Sequence, residues 1–295
     1  MSDTGRIVGT YGSPGQAAEF EANGDVAVLP IPAGYVRCRA VAVADDGTIA
    51  GTCFSPAASA LPTTGFFAES ARAALQFIPL DANIESTVMD MNNRGVILVT
   101  GHPATDGTIS GSWTYDTATD ELTELHGPPN SQVYASAIND PGDVLGIVST
   151  RGPDGSRARE IAHWARDTRA LTTVTTPGAV TIEDMNNQGG FVGGIAGSAV
   201  YWSSMTAPPE VLPGPPPRPG GVGSGALARG VNDEGWIVGR ASYGVPWNDV
   251  AQVYGVAWTP DRRIIDLGDD VEVYAINASK VTVGARRGTA VRLDL

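Results

Sequence analysis

One short pattern recurs along the whole chain and limits what it can fold into: a strand of small and apolar residues, a tight Asn/Asp-Gly turn, and a second strand ending in glycine. That last position is Gly9 (GRIVG), Gly51 (GTIAG), Val99 (GVILV), Gly146 (GDVLG), Gly193 (GGFVG), Gly239 (GWIVG) and Gly284 (KVTVG), so neighbouring copies lie 42, 48, 47, 47, 46 and 45 residues apart. A period of this length with several strands per unit is the signature of propeller blades.

The fullest copy runs over residues 228–268. Ala228 to Asn232 is small and apolar, Asn232-Asp233-Glu234-Gly235 is a turn, and Trp236 to Arg240 is rich in β-formers. After a longer connection come Gln252 to Thr259, the turn Pro260-Asp261-Arg262, and Arg263 to Leu267. This is a four-stranded antiparallel meander, which cannot bury both faces alone. The turn recurs as Asp45-Asp46-Gly47, Asn92-Asn93-Arg94-Gly95, Asn139-Asp140-Pro141-Gly142 and Asn186-Asn187-Gln188-Gly189. These residues tolerate positive φ, and Asn and Asp bond back to the backbone.

The order small-x-small-Ile/Val-Asn-x-x-Gly-x-Val-Val-Gly, then aromatic-x-Trp, then Asp-Leu-Gly, resembles the HAF-type repeats, short-strand repeats found mostly in bacterial secreted proteins. The match is closest at residues 231–268 and clear at 135–174 and 88–125, with the third-strand Trp met by Trp113, Trp164, Trp202 and Trp258. The His-Ala-Phe that names the repeats is absent as such; Ala162-His163-Trp164 comes nearest. The resemblance implies architecture and carries no catalytic motif.

The expected fold is all-β: a propeller of four-stranded antiparallel blades, seven of them, or six if the terminal pieces merge. A single domain, 1–295, divides into blades at residues 1–32, 33–81, 82–127, 128–176, 177–213, 214–268 and 269–295. The first copy lacks strand one and the last lacks strand four, so the N- and C-terminal strands are expected to close the ring and remove exposed edges.

Charge narrows the partners. The net charge is −13, from 32 acidic and 19 basic residues, with no local basic patch, which argues against nucleic acid. No apolar run approaches the 18 or more residues of a spanning helix, so no membrane is expected, and MSDTGRIVG does not read as a signal peptide. A cytoplasmic protein is expected, or a secreted one if a signal peptide has been removed, and a monomer or weak homodimer. Cys38 and Cys53 fall on adjacent strands of one hairpin. They can form a disulfide, or stay reduced as small buried hydrophobes in the cytoplasm.

The variable connections, expected on one face, include residues 54–72, 101–110, 151–159 and 242–251. They carry Phe54, Phe66, Phe67, Tyr243 and Trp247, either as the wall of a pocket for a mostly apolar organic molecule or as pins that hold long loops to blade edges. Along the innermost strands one column reads Val41, Met89, Ser136, Glu183, Arg229, Tyr274. The next reads Ala42, Asp90, Ala137, Asp184, Gly230, Ala275. Asp90 and Asp184 therefore replace small residues, as general acid/base groups with raised pKa, as partners of Arg229, or as caps on backbone amides. Arg39, Tyr134, Glu183, Glu272 and Tyr274 lie toward the variable face, where polar groups can orient a ligand.

His102, His126 and His163 occupy different places in the repeat, and HExxH and CxxC are absent, so no metal and no cofactor are expected. Two functions remain open. One is a cofactor-independent tailoring enzyme of the cyclase, isomerase or lyase type acting on a small molecule in a central funnel. The other is a non-catalytic module that binds a protein or glycan on the same face.

Overall fold

The computed structural model describes residues 1–56, 62–103, 111–152, 154–176, 178–214, 222–245 and 248–295, and all regular structure among them is β-strand. The strands form seven antiparallel sheets at residues 7–28, 37–77, 84–124, 131–175, 180–211, 222–269 and 271–294, each a meander of consecutive strands. These are the seven blades expected from the repeat. Blade one has three strands and lacks the inner one; blade seven has three and lacks the outer one. The chain forms two compact units. Met1–Thr173 holds blades one to four and Val174–Leu295 blades five to seven, with the boundary inside the last strand of blade four, Leu171–Thr175.

In the first unit the core lies between successive blades. Phe66 and Phe67 show how a strand serves two interfaces, because adjacent side chains leave opposite faces. Phe66 packs with Ala17 and Leu29 of blade one, while Phe67 packs with Val88, Ile97 and Tyr115 of blade three. Burying each ring contributes on the order of 2–3 kcal/mol. The sequence placed both in an exposed loop of blade two, but they belong to its third strand, Thr64–Ala68, and are almost fully buried. In the second unit Val192 and Ala199 pack against Trp258 and Val256, and Val238 and Ala257 against Val271 and Val273.

Trp164, Trp202 and Trp258 fill one recurrent slot, opposite Val144, Phe191 and Ile237. Buried indoles need a partner for their N–H; Trp164 donates to the His126 carbonyl and Trp258 to the Pro213 carbonyl, both at 2.9 Å. In blade three the slot is taken by Tyr115, opposite Ile97, and Trp113 lies two residues out of phase. Cys38 and Cys53 face each other across the first hairpin of blade two and are joined as a disulfide.

The recurrent turns join blades as well as strands. The Asn92 side chain accepts the Val96 amide N–H within its own turn and donates to the Asn139 carbonyl of the next blade at 3.0 Å. In the second unit Asn186 donates to the Asn232 carbonyl and Asn232 to the Asn277 carbonyl, both at 3.1 Å. Each of these asparagines is buried. A side chain that both accepts and donates is what the position requires, which is why Asn recurs there.

The recurrent glycine has a separate cause. A Cβ at Gly51, Gly146, Gly193, Gly239 or Gly284 would overlap the strand-one carbonyl oxygen of Arg39, Tyr134, Thr181, Leu227 or Glu272 respectively. Each glycine lies beside a slip in the pairing, where strand one carries one extra residue. Blade three has the same slip with Val99 in the glycine position, so the close approach belongs to five of the blades rather than to the slip itself.

Candidate ligand-binding site

The extra residue of each slip is a β-bulge, and the six bulged residues are Val41, Met89, Ser136, Glu183, Arg229 and Tyr274. They are the column that reads irregularly in the sequence. A bulge leaves one residue unpaired and re-aims its side chain, a device found often beside active sites. The residues on either side face the core: Ala40 and Ala42, Ala135 and Ala137, Ala228 and Gly230 are buried, whereas Met89 and Tyr274 are 37% and 45% exposed.

In the second unit the bulges bring polar groups together. The Arg229 guanidinium lies 5.2 Å from the Tyr274 ring centre, and its Nη2 is 3.9 Å from Glu272 Oε2. Arg240, on the strand Ile237–Val245, approaches the same carboxylate, with Nη1 3.7 Å from Oε1. Both separations exceed hydrogen-bond length, so Glu272 sits between two guanidiniums without bonding to either at these atoms. Arg229 Nε is buried and has no hydrogen-bond partner among the described residues, a state that costs about 1–3 kcal/mol.

Burial raises the Glu183 pKa above the ordinary carboxylate value, against the opposing pull of Arg229 and Arg240. The Tyr274 phenol is also raised, first by burial and then by the Glu272 charge and a hydrogen bond to it. The cluster therefore holds two guanidiniums, the Glu272 carboxylate and a second carboxylate, Glu183, whose pKa burial raises.

Asp90 and Asp184 have a different role. Asp184 accepts the Met185 N–H on Oδ1 at 2.8 Å and the Val231 N–H on Oδ2 at 2.9 Å. Asp90 does the same with Met91 at 2.8 Å and Ile138 at 3.0 Å. Each carboxylate thus ties its own strand to the next blade, the capping role left open by the sequence. Burial, outweighing these two bonds, lifts the Asp90 pKa from 3.8 to about 6.

The other expected site residues are scattered. Arg39 is exposed on Arg37–Val43, and Phe54, at the end of Ile49–Phe54, lies 4.4 Å beneath the Arg37 guanidinium. Tyr134 donates its hydroxyl to Gln132 Oε1 at 3.0 Å. Tyr243 is on a strand rather than in a loop and stands edge-on to Tyr254, 5.8 Å between ring centres. Trp247 lies outside the described residues. Burial of Phe66 and Phe67 in blade cores removes them from any ligand surface. The three histidines have separate neighbours: His102 near Glu85, His126 near Glu124, and His163 with Nε2 3.3 Å from Asp143.

Arg240 was not among the residues expected from sequence. A signal existed: the position after the repeat glycine is Thr10, Thr52, Thr100, Ile147, Gly194 and Ala285 in the other copies, so Arg240 is the one charged member of its column.

No family model and no curated protein sequence matches the chain. Solved structures do. The β-propeller domain of the Trilobed protease from Pyrococcus furiosus is similar over 97% of this chain and 93% of its own, with a TM-score of 0.60 at 12% identity. The fold is a β-propeller. TolB from Acinetobacter baumannii is similar with a TM-score of 0.54 at 11% identity, over 98% of this propeller and 65% of the TolB chain. A prolyl endopeptidase structure follows at 0.53 and 7% identity, over 87% of this propeller and 42% of the endopeptidase. At such identities the likeness concerns the fold, and function has to be argued from the site.

Proposed function

We propose that the propeller binds a small organic molecule against the bulged residues of its second unit. The observation that carries this reading is the convergence of Glu183, Arg229 and Tyr274, three bulged residues from three blades, on a cluster completed by Arg240 and Glu272. Structural ion pairs normally close to hydrogen-bond length, and these do not; an open arrangement of donors is what a polar ligand fills. The expected site for a mostly apolar molecule gives way to a more polar one, since Phe66 and Phe67 are core residues.

The chemistry available to the cluster is proton transfer without a cofactor, as in a cyclisation, isomerisation or elimination. Glu183, with its raised pKa, would hold or take the proton, and Arg229 and Arg240 would stabilise developing negative charge. Repeats of the HAF type and a single propeller domain remain part of this reading. The Cys38–Cys53 bond favours an oxidising compartment over the cytoplasm expected from the sequence.

The test is native mass spectrometry of the protein after incubation with an extract of its producing organism, comparing wild type with the double variant Glu183→Gln, Arg229→Gln. A small-molecule adduct on wild type alone supports the reading. An equal macromolecular complex on both proteins, with no small adduct, contradicts it and leaves the non-catalytic binding module.

A further inference from the structure

Building on the small-molecule reading, we propose that the ligand carries a carboxylate, held between the guanidiniums of Arg229 and Arg240, with its carbon skeleton against the ring of Tyr274.

Two guanidiniums converge on one carboxylate, Glu272, and their approaches of 3.9 and 3.7 Å leave it short of either fork. Among the described residues Arg229 Nε has no acceptor. A guanidinium presents its N–H groups in one plane at the spacing of two carboxylate oxygens, so a planar oxyanion matches the unmet donors better than a hydroxyl or a single carbonyl. Nε is shielded from water while the Arg229 side chain as a whole is 23% exposed. The ligand therefore meets the terminal nitrogens first, and a turn of the guanidinium brings Nε to the second oxygen.

Charge sets the size of the anion. The Arg229 and Arg240 guanidiniums lie 3.9 and 3.7 Å from the same carboxylate, Glu272, so two cations face one anion at close range. A singly charged carboxylate suits that excess, whereas a phosphate dianion brings a second negative charge beside Glu272.

The third part is apolar surface. Tyr274 is 45% exposed, and its ring already carries the Arg229 guanidinium at 5.2 Å. An organic acid bound to that guanidinium places its first carbons beside the ring, where an aromatic face offers contact area at little entropic cost.

The experiment titrates the full-length protein, labelled with 15N-arginine, with benzoate, benzamide and inorganic phosphate, and follows the Nε–Hε signals of Arg229 and Arg240. Benzoate is expected to shift the Arg229 signal saturably, benzamide and phosphate to bind about tenfold more weakly or worse, and Arg229→Lys to weaken benzoate by about tenfold with its backbone amide spectrum otherwise unchanged. Benzamide or phosphate binding as tightly as benzoate at these signals would overturn the carboxylate assignment while leaving a small-molecule site in place. If none of the three probes moves either signal, both the assignment and the small-molecule reading fall.

Discussion

Asp184 accepts the backbone N–H of Val231, 47 residues and one blade further on, at 2.9 Å. Its other oxygen holds the Met185 amide, so one side chain fixes the end of its own bulge and the position of the next inner strand. Asp184→Ala leaves two backbone donors unbonded and is expected to cost about 2–4 kcal/mol in denaturant unfolding. Ligand binding at Arg229 should persist wherever the variant remains folded. A variant as stable as wild type would remove the clamp role.

Asp90 makes the stability of the first unit depend on pH. Its folded pKa of about 6 lies above the ordinary 3.8, so the folded state binds the proton more tightly than the unfolded chain. The associated stabilisation is fully present below pH 3.8 and is lost as pH rises through about 6. Asp90 is half-buried, and the effect is roughly 1–3 kcal/mol. The stability difference between wild type and Asp90→Asn, measured by urea unfolding from pH 4 to pH 7, should change by this amount in favour of the variant as pH rises. A constant difference would show that the carboxylate does not titrate in that window.

Gly239→Ala tests the close approach of strand one. The added methyl group meets the Leu227 carbonyl oxygen, which belongs to backbone already fixed on both sides. Such overlap cannot be relieved by a rotamer change, so the expected loss is about 3 kcal/mol or more. Gly12→Ala is a control for the effect of removing a glycine: it sits at φ 69 with open space around its Cβ position, so it should cost only about 1 kcal/mol. Equal effects at the two positions would mean that backbone freedom, not overlap, selects the recurrent glycine.

The Cys38–Cys53 disulfide closes a short loop, its ends separated by 15 positions in sequence. Replacing both cysteines by alanine should lower the unfolding free energy by about 3 kcal/mol. Thiol titration of the unreduced, denatured protein should find none free. Two free thiols would return the pair to the role of small buried hydrophobes.

Much of this architecture was legible because the repeat is written in residues with local causes. The Asn-x-x-Gly turns and the second-strand glycines gave seven blades and the strands missing at either end. Bulges were not legible as such, since pairing register is a relation between strands. Their consequence was, as a column that drifts from Val41 to Glu183, Arg229 and Tyr274. Phe66 and Phe67 were misplaced because blade two carries Ala68, not Trp, opposite Ile49, and without the aromatic landmark its third strand read as an insertion. Trp113 misled in the opposite sense: it is the right residue type two positions away from the slot that Tyr115 fills. Residues 242–251 read as a loop, yet Ile237–Val245 and Asn248–Trp258 extend the hairpin, so Tyr243 is a strand residue. The acids at 90 and 184 were singled out by position, but their partners are amides of the neighbouring blade and have no signature in sequence.

The most direct measurement is the melting temperature of Arg229→Met. A residue held for function, with a buried Nε that has no partner among the described residues, should be replaceable by a side chain of similar length without loss of stability, since the unmet donor and the desolvated charge disappear together. The expected result is a melting temperature equal to or above that of wild type. A fall of more than about 4 °C, equivalent to roughly 1–2 kcal/mol in a chain of this size, would contradict the assignment and make the Glu183–Arg229–Tyr274 cluster part of the scaffold.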